Sequence, residues 1–464
     1  MSSRFRRNVN LKSRTEAGVA YSDRDVISAP PNYVLRILIV CFFVFDFPGF
    51  TLQLALDPTT DRFVGSPVFA LMTLAGNIFV AMLLASSEEF RGLAKRAWPV
   101  LAMTGLGVLS ATWSINPRAT IAVTFRNAGA FYLAIAIVSL MPGFQAIRFA
   151  VRTMVLGCLL SLIWVFVFPE VALHHKTDLM QSVHAGLWRG IFSHKQGLGV
   201  FAGLTTALLL VYRTLIFPPV ILVGAVVCSF VCLAGSASAT GFLTMVMGFL
   251  IFYMCRFVVR SQPSARKGRL LAVCAGFLVA GIGFKIGLLD PIFHLLGKSS
   301  DLTGRSDLWP IEMANFNNSG KSWLGGGLGS GLASDISEWS IDNGYLDMII
   351  DFGYLLAPVL FVIYGFITWR SARLLLASTR RSEAADIFPF AFWILTLIDN
   401  ITESSFMTKS YMSILAIIAV GLLFNDRKLA AATSAEPARP GSSLRNRNPA
   451  VPAKRRSGVS SGAI

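Results

Sequence analysis

Apolar runs of 11 to 25 residues, most of them near 20, recur from Tyr33 to Phe424, separated by polar intervals. About 20 apolar residues in a helix match the hydrocarbon thickness of a bilayer. A soluble fold would have to bury every run in one core, and with 54% hydrophobic and 14% charged residues the chain has little polar surface to cover it. In lipid each backbone N–H and C=O must be satisfied internally, and the runs are continuous instead of alternating, so they predict helices and not barrel strands. The expected fold class is an all-α polytopic integral membrane protein with about twelve transmembrane helices and a large periplasmic loop. The runs are Tyr33–Leu54, Ser66–Ala85, Ala97–Trp113, Ile121–Met141, Phe149–Phe168, Gln196–Tyr212, Leu215–Leu233, Thr240–Phe257, Leu270–Leu289, Tyr345–Trp369, Ile387–Leu397 and Tyr411–Phe424.

The division that follows is a basic cytoplasmic tail over residues 1–32, a transmembrane domain over 33–424 and a disordered cytoplasmic tail over 425–464. The last segment mixes Pro, Ser, Ala and Arg and cannot bury enough apolar area to order itself. The first is too long and polar for the n-region of a cleavable signal. Its Asp23 and Asp25 mimic a metal-binding pair but read as part of a solvated tail.

A net charge of +16 invites a nucleic-acid reading. The basic residues instead gather in short loops and tails, the signature of cytoplasmic faces, so no nucleic-acid partner is expected. With the N-terminus inside, 29 Lys and Arg fall on the cytoplasmic side and nine on the other. Both termini are therefore expected in the cytoplasm, with loops at about 169–195 and 290–344 in the periplasm. All five histidines then face outward. All six cysteines lie inside the runs, where packing is the simpler reading, and no metal or other cofactor is expected.

The longest polar interval before the C-terminal tail runs from Lys298 to Asp351. It carries Arg305, Trp309, the glycine cluster Gly325–Gly331 and the pair Asp342, Asn343. Gly320, Lys321 and Ser322 resemble the end of a phosphate loop, but Asn315 stands where the first glycine of such a loop belongs. The glycines read instead as tight turns. A second outer segment, Leu187–Leu198, holds Arg189, His194 and Lys195. The arginine offers a planar fork matched to phosphate oxygens, and the histidine is a candidate proton carrier; interfacial anchoring of the following helix is the competing reading. Arg126 is the best candidate for a charge lining a polar cavity within the spans, because such a charge is costly unless paired or hydrated.

Taken in order, Trp113-Ser-Ile-Asn-Pro117, Arg189-Gly190 with His194-Lys-Gln196, Gly304-Arg305 with Trp309, Asn343-Gly-Tyr-Leu-Asp347 and Asn400 with Thr402-Glu-Ser404 resemble the O-antigen ligase and polymerase superfamily, most closely its exopolysaccharide polymerase branch. The resemblance covers roughly residues 113–404. It implies a fold like that of lipid-linked glycosyltransferases and a metal-independent, inverting transfer of glycan from undecaprenyl diphosphate to an acceptor sugar hydroxyl at the periplasmic face of the bacterial inner membrane. Arg189 and Arg305, with Arg126 and Lys195, would hold the diphosphate; Asn343, Trp309 and Glu403 would support the site. The family has a histidine before the Asn of Asn-Gly-Tyr-Leu, where this chain has Asp342. Three readings follow: Asp342 is the base, which is the expected one; His194 or His184 substitutes; or the diphosphate leaves readily enough that little base help is needed. The implied partners are the undecaprenyl diphosphate-linked oligosaccharide donor and acceptor, membrane lipids, and chain-length regulator or export proteins. A ligase that moves glycan to a lipid A core, and a transporter of lipid-linked glycan, remain alternatives.

Overall fold

A computed structural model of the chain describes residues 32–46, 67–141, 143–176, 182–285, 305–332, 343–379, 383–401, 403 and 411–425. Among them the structure is helical, with a single isolated bridge between Leu173 and Trp188 and no strand. The chain is an all-α membrane protein. Five helices are long and apolar enough to cross a bilayer, or six when one bent pair is taken as a single span.

The principal helices are α1 (Asn32–Asp46), α2 (Pro67–Ser86), α3 (Glu88–Arg96), α4 (Trp98–Ser110), α5 (Pro117–Leu140), α6 (Phe144–Val167), α7 (Lys195–Val211), α8 (Pro219–Ser236), α9 (Ala239–Val259), α10 (Arg266–Lys285), α11 (Arg305–Asn318), α12 (Gly344–Ala377), α13 (Glu383–Asp399) and α14 (Tyr411–Leu423). The described part of each of the twelve apolar runs includes helix, and five or six of these helices pass as membrane spans by length and composition. Others are short: α4 and α14 have 13 residues each, and at about 1.5 Å per residue neither covers the hydrocarbon by itself.

Helix α3 was not among the apolar runs. It bends away from α2 by 101° and is amphipathic, with Phe90, Leu93 and Ala94 buried on one side. Ser87 caps its first turn by accepting from the Phe90 amide, Glu88 and Glu89 sit at its positive end, and Lys95 and Arg96 at its negative end. Its apolar side packs into the protein.

The closest helix pairing joins α7 to α9. A methyl group on Gly203 would lie 2.1 Å from the Gly241 carbonyl oxygen, and one on Gly241 would lie 2.3 Å from the Gly199 carbonyl carbon. Gly199 and Gly203 thus form a small-xxx-small face that lets backbones meet where apolar lipid gives no hydrophobic drive.

The two ends of the bundle differ. At one end arginines tie the helices together through backbone carbonyls and rings. Arg266 Nη1 donates to the carbonyls of Leu376 and Ser378 at 2.9 and 2.6 Å. Arg256 lies over the Tyr212 ring and Arg370 over the Phe424 ring. At the other end lie the C-termini of α4, α6, α8 and α13, the N-termini of α5, α7, α9, α12 and α14, and the polar loops.

Helix α12 is broken at Gly353, where φ is 69° and ψ is 176°. The glycine-rich segment repairs the break. The amides of Tyr354 and Leu355 donate to the carbonyls of Ser322 and Trp323 at 2.9 and 3.0 Å, while the amides of Gly326 and Gly327 donate to the carbonyls of Ile350 and Asp351, each at 2.9 Å. A side chain at Gly325 or Gly353 would collide with the facing backbone, at 2.4 and 2.3 Å. The glycines therefore permit a close backbone-to-backbone seam that satisfies a broken helix, the condition for irregular backbone at membrane depth.

Candidate functional site

Two polar assemblies occupy the looped end, joined by the first turns of α12. The first is built on the segment Leu173–Lys195, which lies over the ends of α6 and α8. Trp188 packs flat on Gly235, where any side chain would meet the indole at 2.2 Å, and its amide donates to the Gly235 carbonyl at 3.0 Å. Gly190 has φ 57° and sits against Ser161. These contacts hold Arg189 in place: its Nε donates to the Val171 carbonyl at 2.8 Å, and its amide to the Ala172 carbonyl at 2.9 Å.

Three histidines spaced ten apart in sequence come together here. The ring centroids of His174, His184 and His194 are separated by 5.3 to 5.8 Å, each pair edge to face. Burial, reinforced by His174, His184, Lys195 and Arg189, pushes His194 down to about pH 4, so it is neutral at ordinary pH. His194 Nδ1 accepts from the Gln196 amide at 3.2 Å and caps α7. A neutral ring that accepts at Nδ1 carries its proton on Nε2, so His194 presents an N–H donor and not a basic lone pair. His174 has the opposite arrangement: its Nε2 accepts from the Lys195 amide at 3.1 Å. Among the described residues no group of His, Cys, Asp and Glu is arranged to hold a metal ion.

Gln196 links this cluster to two distant segments. Its side-chain amide donates to the Glu403 carboxylate. The Glu403 carbonyl accepts from the Gly344 amide at 3.1 Å, and the Asn400 carbonyl accepts from the same amide at 2.9 Å. Asn343 caps α12, its Oδ1 accepting from the amides of Tyr345 and Leu346 at 3.0 and 3.1 Å, and the Tyr345 hydroxyl donates to the Leu397 carbonyl. Arg189, His194, Lys195, Asn343 and Glu403 are therefore parts of one connected framework. Asp342, the expected base, lies outside the described residues, immediately before the Asn343 cap.

The second assembly surrounds the break in α12. Trp113 Nε1 donates to the Leu324 carbonyl at 2.7 Å, the Ile115 amide to the Gly326 carbonyl at 3.0 Å and the Leu328 amide to Ser110 Oγ at 3.1 Å. Asn116 caps α5 by accepting from the Ala119 amide. Asp351 Oδ2 accepts from the Gly329 amide at 3.2 Å. The Trp-Ser-Ile-Asn-Pro motif is thus the seat of the glycine-rich segment. Trp309 packs with Phe316, Leu332 and Ile350, fastening α11 to the start of α12. Arg305 opens α11, and its side chain is outside the described set.

Arg126 sits three residues along α5 from Val123, which packs against Gly329. Its Nε is buried and has no hydrogen-bond partner among the described residues. A buried guanidinium N–H without an acceptor is costly, and an anionic ligand would relieve that cost. Val123, on the same helix, places this part of α5 beside the glycine-rich segment.

Sequence reasoning missed Gln196 as the link and His174 as a ring partner. The ten-residue spacing of the three histidines was visible, but nothing local says that a loop will fold them together. The chain matches no protein-family model and no curated protein.

Proposed function

We propose that the chain is a glycosyltransferase of the bacterial inner membrane that joins undecaprenyl diphosphate-linked oligosaccharide repeats into an exopolysaccharide, in the manner of the O-antigen ligase and polymerase superfamily it resembles. The observation that carries this reading is the hydrogen-bonded link from Gln196 through Glu403 to Gly344. It unites three of the resembling segments, over 200 residues apart at the extremes, around cations and neutral donors at one end of the bundle. In this reading the arginine-rich end is cytoplasmic, both termini lie with it, twelve helices traverse or enter the membrane, and residues 169–195 and 290–344 are periplasmic.

The chemistry suits such a framework. The acceptor hydroxyl oxygen attacks the anomeric carbon, the bond from that carbon to the diphosphate breaks, and its electron pair leaves with the phosphate. Arg189, Lys195, Arg305 and Arg126 stabilise the charge that develops on the leaving group, where fixed cations in a partly dry site act without reorganising. His194, held neutral, donates its Nε2–H to a phosphate or sugar oxygen. Asp342, the residue before the Asn343 cap in sequence, takes the hydroxyl proton.

The reading is tested in cells. Deleting the gene should end polymer production and leave single lipid-linked repeats in the membrane; the wild-type chain should restore polymer, and an Arg189→Ala chain made at equal level should not. Polymer of normal length in the deletion strain would refute it.

A further inference from the structure

The arginine-rich end contains a cleft of about 520 Å³ that the proposed reaction does not use. It lies between α6 and the turn from Arg213 to Pro219, and three guanidiniums line it: Arg148, Arg152 and Arg213. Two are held in position by the turn itself. Arg148 Nε donates to the Leu215 carbonyl at 2.8 Å, and Arg152 donates to the Ile216 carbonyl from Nε and Nη2 at 3.2 and 2.8 Å. Arg152 also lies over the Phe217 ring, 5.2 Å from its centroid. Among the described residues the Arg213 side chain makes no hydrogen bond, and no carboxylate pairs with any of the three. Three positive charges, two of them preorganised, share one cleft.

Apart from Thr214 the rest of the lining is apolar, with Leu215, Phe217 and Leu222 among it. Helix α8 begins at Pro219 in the cleft wall, and along it Val220, Val223 and Val227 are 86%, 64% and 55% exposed at helical spacing. An apolar stripe on a membrane helix faces acyl chains. A cationic cleft at the start of such a helix fits an amphiphile: phosphate at the arginines, chains along α8. A soluble phosphate would use the arginines and leave the apolar wall without purpose.

We infer that this cleft binds the phosphate headgroup of an anionic membrane phospholipid, at the end of the bundle opposite the proposed transfer site. Guanidiniums pair with phosphate oxygens through two parallel N–H groups, and basic pockets between transmembrane helices hold such headgroups. The site would anchor α6 and the α7–α8 connection at the membrane surface, independently of what the opposite end does.

Native mass spectrometry of the purified full chain, loaded from mixed micelles of phosphatidylcholine and phosphatidylglycerol, tests the inference. The wild type should retain phosphatidylglycerol selectively. Arg213→Gln, which removes a side chain with no structural hydrogen bond, should weaken retention about fivefold, and Arg148→Gln combined with it should weaken it further, with the thermal unfolding of Arg213→Gln in phosphatidylcholine alone unchanged. Equal retention by all three proteins would overturn the site. Displacement of the lipid by millimolar inorganic phosphate would overturn the lipid assignment in favour of a small-anion site.

Discussion

The side-chain amide of Gln196 donates to the carboxylate of Glu403, 207 residues further along the chain, and the same Glu403 receives the first amide of α12 on its backbone carbonyl. One residue thus ties the histidine-bearing loop to the Asn-Gly-Tyr-Leu helix start. A hydrogen bond to a charged group contributes about 1.5 to 3 kcal/mol when partly buried. In a double-mutant cycle on thermal stability, Gln196→Ala and Glu403→Ala should each destabilise, and the pair together should cost about 1 to 2 kcal/mol less than the sum. Strict additivity would mean that the two side chains do not meet.

Gly344 sets how closely that helix start approaches its partner. A methyl group there would lie 2.0 Å from Asn400 Oδ1, and Asn400 is fully buried. Gly344→Ala should destabilise by about 1 to 3 kcal/mol through overpacking and impair function beyond its effect on folding. Gly365, on the same helix, has nothing within 4 Å of an added methyl. Gly365→Ala should be neutral or stabilise by up to about 1 kcal/mol. Thermal melts of the two variants separate close approach from helix propensity.

His194 gives the site a definite acid response. The folded ring stays neutral down to about pH 4, below the ordinary value of 6.5. Between those values the unfolded chain binds the proton and the folded chain does not, so stability falls as pH drops from about 6.5 to about 4 and is level below that. His194→Asn keeps an acceptor for the helix cap and removes this titration, so its melting temperature should fall less steeply across the window. An identical slope in wild type and variant would show that His194 is not held neutral.

The seam between the glycine-rich segment and the broken helix makes its own prediction. Asp351→Ala removes the acceptor of the Gly329 amide while leaving the four backbone hydrogen bonds of the seam. Hydrogen exchange should rise around Gly329 and stay low at Tyr354 and Leu355. Faster exchange throughout would mean that the carboxylate, and not the backbone seam, holds the break together.

The all-α membrane class was legible because apolar run length is a direct physical constraint in lipid, and five or six of the helices are long and apolar enough to cross it. The 101° turn between α2 and α3 was less visible, since an amphipathic helix of nine residues carries no long apolar signal. The site was legible in pieces. The motifs around Trp113, Arg189, Asn343 and Asn400 were each present in the sequence, but their joining depends on hydrogen bonds over long separations that no local pattern encodes. The histidine reading needed revision for the same reason: the backbone amide that occupies His194 Nδ1 comes from the helix cap, and only the folded geometry turns a candidate base into a donor. The glycine cluster was read as turns, and its pairing with a break at Gly353 became apparent only with both strands of backbone in place.

The central claim is that cations at the looped end hold a lipid-linked diphosphate during sugar transfer. Its most direct test is the purified protein in liposomes with an undecaprenyl diphosphate-linked oligosaccharide, without added metal or nucleotide sugar, followed by separation of the products by length. A ladder from the wild type and from Gly365→Ala, lost in Arg189→Ala and in Arg305→Ala with both variants still folded, is the expected result. An undiminished ladder from both arginine variants would contradict the claim.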